Sequence, residues 1–157
     1  MKAVLCKEWG MPGKLVVEDV PSPKPASGQV VVSVKACGVI FPDTLIIQGK
    51  YQFKPEMPFS PGGEVAGVVK EVGEGVNRVK PGDRVIAFNT WGGFAEEMLV
   101  DADRTIPMPA NMDFVPASAF VLTYGTSYHA LKDRAEIKAG ETMLVLGAAG
   151  GVGLAAI

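Results

Sequence analysis

Thr142-Met143-Leu144-Val145-Leu146-Gly147-Ala148-Ala149-Gly150-Gly151-Val152-Gly153-Leu154-Ala155-Ala156-Ile157 is the stretch on which the reading of this chain turns. Thr142–Leu146 has the short apolar pattern of a buried strand, and Leu154–Ile157 opens a helix. Between them, Ala148-x-Gly150-x-x-Gly153 keeps the GxGxxG spacing with alanine in place of the first glycine. Glycines in such a turn let the backbone approach a pyrophosphate, and the helix start offers unpaired N–H groups and a positive dipole end. Ala148, Ala149, Gly150, Gly151, Val152 and Gly153 are therefore the candidate cofactor-binding residues. The same run also serves as a plain strand-to-helix turn with no ligand. The residue that would separate NAD from NADP falls about 20 positions further on, past Ile157.

Working outward, the composition limits what surrounds this turn. The chain has 157 residues, 15 basic and 17 acidic side chains, and a net charge of −2. Its 48% hydrophobic and 20% charged content is that of a folded protein. There are 19 glycines and 12 prolines, about a fifth of the chain against a typical ~12%. That surplus predicts many turns and short strands. No basic stripe is present, which argues against a nucleic-acid partner. With His129 as the only histidine, any site built on several histidines is excluded. Cys6 and Cys37 are too far apart for a CxxC pair, and two free thiols in a cytoplasmic protein are the expectation. The uncharged tail 142–157 is shorter than the ~20 residues a membrane helix needs. The apolar run at the N-terminus is too short for a signal peptide.

From residue 1 to about 108 the chain reads as strands split by turn signals. Lys2–Cys6 and Leu15–Val20 flank Gly10-Met11-Pro12-Gly13, and Val30–Val39 and Glu64–Val72 are further strands. Lys80-Pro81-Gly82-Asp83 has type II turn chemistry and leads into Arg84–Phe88. Phe94–Val100 and Thr105–Met108 complete a mostly antiparallel β barrel or sandwich. Helical spacing follows over Phe114–Val121, with Asp113 as N-cap, breaks at Thr123-Tyr124-Gly125 and resumes over Thr126–Arg134. The fold class expected is α+β to α/β, with residues 1–112 as one domain and 113–157 as linking helices and the start of a second, incomplete one.

Gly62-Gly63-Glu64-Val65-Ala66-Gly67-Val68-Val69, Lys80-Pro81-Gly82-Asp83-Arg84-Val85 and Thr126-Ser127-Tyr128-His129-Ala130-Leu131 resemble the medium-chain dehydrogenase/reductase superfamily. The segment from Gly49 to Gly62 is similar to its quinone oxidoreductase branch. The resemblance implies a GroES-like catalytic domain followed by a Rossmann domain that binds NADPH, here cut after its first turn. In the zinc-dependent relatives a cysteine stands where this chain has Ile40 and a histidine where it has Gly63, so a zinc-independent enzyme is implied. Hydride transfer to a quinone or an α,β-unsaturated carbonyl suits such a site. Tyr51 matches a family tyrosine that could hydrogen-bond an acceptor carbonyl, and it serves equally as a loop aromatic packed on the barrel. Asp43 matches a position near the cleft, and it serves equally as a cap for a helix over Thr44–Gln48. Thr126 matches a threonine that contacts the nicotinamide, and it serves equally as a helix N-cap. Ile40 and Ile47 replace an asparagine and an arginine common in quinone reductases, so a pocket of Ile40, Phe41 and Tyr51 is expected to be apolar. His129 is expected to be a core or interface histidine. A homodimer is the assembly that the resemblance suggests. The alternative is a catalytically incomplete fragment acting as a GroES-like interaction or dimerisation module.

Overall fold

Period-2 alternation of valines and alanines builds the sheet that carries the first half of the chain. The computed structural model describes residues 1–157, which divide into two units, Met1–Ser118 and Ala119–Ile157. In the first unit β1 (Lys2–Leu5) and β2 (Val16–Asp19) form an antiparallel ribbon. The remaining strands are β3 (Gln29–Cys37), β4 (Glu64–Val72), β5 (Arg84–Phe88), β6 (Glu97–Asp101) and β7 (Thr105–Pro107). They form one antiparallel sheet in the order β6–β3–β4–β5–β7. A single bridge, Ala3 to Ala95, joins the ribbon to the segment before β6. The expected barrel is thus realised as a five-stranded sheet with an attached two-stranded ribbon.

Each central strand sends every second residue to one face: Val30 and Val32, Val65 and Val69, Val85 and Ala87, Met98 and Val100. Burial of this face is the main stabilising term, roughly 1.5–3 kcal/mol for each fully buried valine. The turn expected at Lys80–Asp83 forms, with Gly82 at φ +93° and the Asp83 N–H donating to Lys80 O at 3.1 Å. The register Cys37↔Val65 and Glu64↔Phe88 brings the ends of β3 and β5 beside the start of β4. Two loops, 38–63 and 89–96, therefore lie together at one end of the sheet. The short helix α1 (Phe41–Ile46) lies in the first of these. It starts three residues before the expected Thr44, because Pro42 is well suited to a first helical turn. α2 (Phe114–Ala117) closes the unit, with Asp113 at the N-cap position but making no side-chain cap bond.

The second unit is helical. Val121–Gly125 and His129–Arg134 are π-helical and flank α3 (Thr126–Tyr128). The break expected at Thr123-Tyr124-Gly125 does not occur: Gly125 holds φ −62° and ψ −42°, and a helical glycine costs only about 1 kcal/mol. The strand expected over Thr142–Leu146 is also not realised. It carries no ladder bonds, since a strand needs a neighbour and no other segment of this unit offers one. Leu144 and Leu146 are 83% and 84% exposed, not buried. The helix expected from Leu154 forms earlier, as α4 (Gly151–Ala156). No helix is long and apolar enough to cross a membrane.

Candidate functional site

In the first unit the two ends of the 38–63 loop are tied together by one carboxylate. Ile40, in extended backbone, is the N-cap of α1, and Asp43 is its third helical residue. Asp43 Oδ2 accepts from the Ile40 N–H at 2.9 Å, and Oδ1 accepts from the Gly62 N–H at 3.1 Å. The side chain is buried, which pushes its carboxyl above the usual range while the two N–H groups pull it back down. Gly62 has φ +92°, and a Cβ there would lie 2.5 Å from Phe94 Cδ1 and 2.9 Å from Cys37 Sγ. Only glycine fits. Burial, then Asp43 and Glu64, push the Cys37 thiol up to about 12, so it is protonated at neutral pH. Cys6 and Cys37 are both free, as expected.

Gly63 lies directly beside Ile40: a Cβ on Gly63 would be 3.6 Å from Ile40 Cδ1 and 3.0 Å from Asn89 O. The positions that hold a cysteine and a histidine in zinc-dependent relatives are thus neighbours here, and neither side chain has a metal-binding atom. No group of three His, Cys, Asp or Glu residues could hold a metal ion. The residues present do not fit zinc.

Tyr51 lies beyond the other end of α1, a helix about 9 Å long. Its ring packs on the cluster of Cys6, Ile46, Ile47 and Phe59, beside Met57 and Trp91, and stands 6.1 Å from Phe53. The packing reading of this residue thus holds for the ring, while the hydroxyl makes no hydrogen bond within the chain. Ile40, Phe41 and Asp43 come together, whereas Tyr51 and Asp43 occupy different ends of the helix. Phe41 is exposed and Ile40 half-buried.

In the second unit Gly147 (φ +71°) turns the chain, the Gly150 N–H donates to Gly147 O at 2.9 Å, and Gly150 caps α4. A Cβ at Gly153 would sit 2.3 Å from Gly147 O, so that position closes the turn. A Cβ at Gly150 would meet only Gly147 O, at 3.4 Å. The turn is therefore tight behind Gly153 and open at Gly150, a cradle of the kind that a dinucleotide pyrophosphate fits. A hollow of about 500 Å³ is lined by Gly150–Gly153 and the preceding residues 143–147. Thr126 does not line it. The neighbouring Ser127 does, donating to Val152 O at 2.7 Å. Its role was not visible in the sequence, because its partner Val152 lies 25 residues further on. His129 is not in the core: its side chain is 64% exposed and pairs with Asp133 one helical turn on, Nδ1 to Oδ2 2.9 Å.

Residues 26–110 match the alcohol dehydrogenase GroES-like domain family. The quinone oxidoreductase of Rattus norvegicus is 45% identical over 157 residues, covering 99% of this chain and 48% of the relative. The Escherichia coli quinone oxidoreductase, solved in complex with NADPH, superposes with a TM-score of 0.93 at 36% identity, covering 99% of this chain and 48% of that one. The Thermus thermophilus quinone oxidoreductase, also solved with NADPH, gives 0.86 at 37% identity, covering 99% and 48%. The chain spans about half the length of the relatives it matches.

Proposed function

Because the chain belongs to the medium-chain dehydrogenase/reductase superfamily, in its quinone oxidoreductase-like branch, we propose that the whole protein is an NADPH-dependent, zinc-independent reductase that passes hydride to a quinone or an α,β-unsaturated carbonyl. Residues 1–112 are then the N-terminal part of its substrate domain, and 113–157 the linking helices and the start of its dinucleotide domain. The observation that carries the reading is the Gly147–Gly153 turn, closed behind Gly153 and open at Gly150. NADPH, in preference to NADH, rests on the relatives solved with it.

Bound at this turn, the reduced dinucleotide supplies the hydride. The N–H groups at the start of α4 would hold its phosphates, and Thr126 would contact its nicotinamide. Ile40 and Phe41 form an apolar wall that excludes water from the acceptor. The Tyr51 hydroxyl, uncommitted within the chain, donates to the acceptor carbonyl and holds it in register. A conjugated acceptor spreads the developing negative charge over its own atoms, so one hydrogen bond suffices where a simple ketone would need a Lewis acid. Asp43, buried with each oxygen accepting a backbone N–H, holds the Ile40 and Gly62 turns.

In the whole protein, quinone-dependent oxidation of NADPH is expected to survive a metal chelator. Tyr51→Phe is expected to lower turnover about tenfold with unchanged NADPH affinity, the effect of losing one hydrogen bond to the acceptor. Loss of activity with the chelator would overturn zinc independence. Absence of NADPH consumption with quinones and enones alike would overturn the reductase reading.

Residues 1–157 taken alone have a second reading, favoured by the unladdered segment 142–146 and its exposed Leu144 and Leu146. They would be catalytically incomplete and act, if at all, as a GroES-like interaction or dimerisation module. Such a piece neither quenches NADPH fluorescence nor oxidises NADPH, and its exposed apolar surface binds a hydrophobic dye.

A further inference from the structure

The carboxylate of Asp43 joins two pieces of backbone that are 19 residues apart, and it does so from a buried position at 4% exposure. One partner, the Ile40 N–H at 2.9 Å, fixes the turn that presents Ile40 and Phe41. The other, the Gly62 N–H at 3.1 Å, fixes the turn that presents Gly63. Between the two turns, Ile40 Cδ1 packs beside the bare Cα of Gly63, where a Cβ would stand 3.6 Å away. That contact is apolar and has no directionality, so it cannot by itself fix how the two turns sit. Gly63 is held from its far side, where its carbonyl accepts from the Asn89 N–H at 2.8 Å. Gly62 is held at its own carbonyl by the Gly93 N–H at 2.9 Å. The glycine turn is therefore anchored to the sheet, and the helix turn is referred to it through Asp43.

We propose that Asp43 is a positioning residue that fixes the acceptor wall of Ile40 and Phe41 by clamping the Ile40 turn against the Gly62–Gly63 turn, and so selects acceptors by size. This rests on the reading of Ile40 and Phe41 as the acceptor's wall. The carboxylate is suited to the task because it offers a separate accepting oxygen to each of the two N–H groups, whereas an amide has only one accepting oxygen. An amide retains one accepting oxygen and turns an NH2 group towards the other donor. The helix turn is then released by one bond while the fold keeps a side chain of the same size.

The test is Asp43→Asn in the whole protein, with benzoquinone as small acceptor and phenanthrenequinone as bulky one. With the clamp released, KM for benzoquinone is expected to rise about tenfold, the equivalent of one hydrogen bond, with kcat within about twofold. KM for phenanthrenequinone is expected to rise less, shifting the size preference, and the NADPH dissociation constant is expected to stay put. Collapse of kcat at constant KM would assign Asp43 to the chemistry and overturn the proposal. Unchanged KM values, or equal losses of acceptor and NADPH binding, would overturn it too. Amide hydrogen exchange in the unmutated protein decides independently of any folding defect: Ile40 and Gly62 are expected to be protected together, and fast exchange at either refutes the clamp. Inactivity of the unmutated protein towards both quinones would instead overturn the reductase reading, whereas protected amides with unchanged KM in the variant would overturn only the clamp's role.

Discussion

Alanine at Gly62 and alanine at Gly82 separate a backbone cost from a packing cost. Gly62 has φ +92° and Gly82 φ +93°, so the two substitutions impose nearly the same left-handed conformation. That costs about 1–2 kcal/mol for an L-residue. The surroundings differ. At Gly82 a Cβ meets nothing within 4 Å, whereas at Gly62 it would lie 2.5 Å from Phe94 Cδ1 and 2.8 Å from Phe94 N. The Phe94 backbone cannot retreat freely, because its N–H donates to Pro61 O at 2.8 Å. Overpacking of this kind adds about 1–3 kcal/mol. Gly62→Ala is therefore expected to cost about 2–5 kcal/mol and Gly82→Ala about 1–2. Against a usual domain stability of about 5–15 kcal/mol, the first is a large loss and the second a modest one. Equilibrium urea unfolding of the purified protein measures both, with Trp91 as a reporter in the cluster that also holds Tyr51. Equal losses at the two sites would refute the crowding argument, and an unaffected Gly82→Ala would refute the backbone one.

Gly150→Val is expected to leave the fold intact, since a side chain at Gly150 meets only Gly147 O, while weakening NADPH binding by the whole protein at least about a hundredfold. Isothermal titration measures this, and unchanged affinity would remove the turn from the cofactor site. The Cys37 thiol, raised from 9.0 to about 12, is expected to resist iodoacetamide at neutral pH until the protein is unfolded. Because its folded value lies above its unfolded one, its contribution to stability is complete below pH 9.0 and declines as pH rises towards about 12. Urea midpoints across that range, compared with Cys37→Ala, measure the decline. Rapid labelling of folded protein at neutral pH would contradict the burial from which the shift arises.

What could be read from the sequence was what neighbours in sequence decide. Glu64–Val72 and Arg84–Phe88 form as strands at the expected residues, because alternation and the Pro81-Gly82 turn act within a few positions. The strand expected at Thr142–Leu146 failed for the complementary reason: its apolar pattern states that it can be paired, and pairing needs a second strand. α1 was displaced by three residues because Pro42 starts a helix as readily as it ends a loop. In the site, the glycine turn was legible from spacing alone. The roles of Asp43 and Ser127 were not, since each depends on a partner far along the chain, 19 residues away at Gly62 and 25 at Val152.

The same distinction explains how this fold accommodates a site without metal-binding side chains. Ile40 and Gly63 sit where two ligands would have to converge, so the backbone there must hold two turns close without a metal between them. A coordinated ion would draw its ligands together by direct bonds. In its place, the turns are held by a carboxylate bonded to the amide of Ile40 on one side and of Gly62, the residue before Gly63, on the other. A buried carboxylate is costly unless its oxygens are satisfied. Here each of them is, which lets the side chain at position 43 stay buried while it holds both turns.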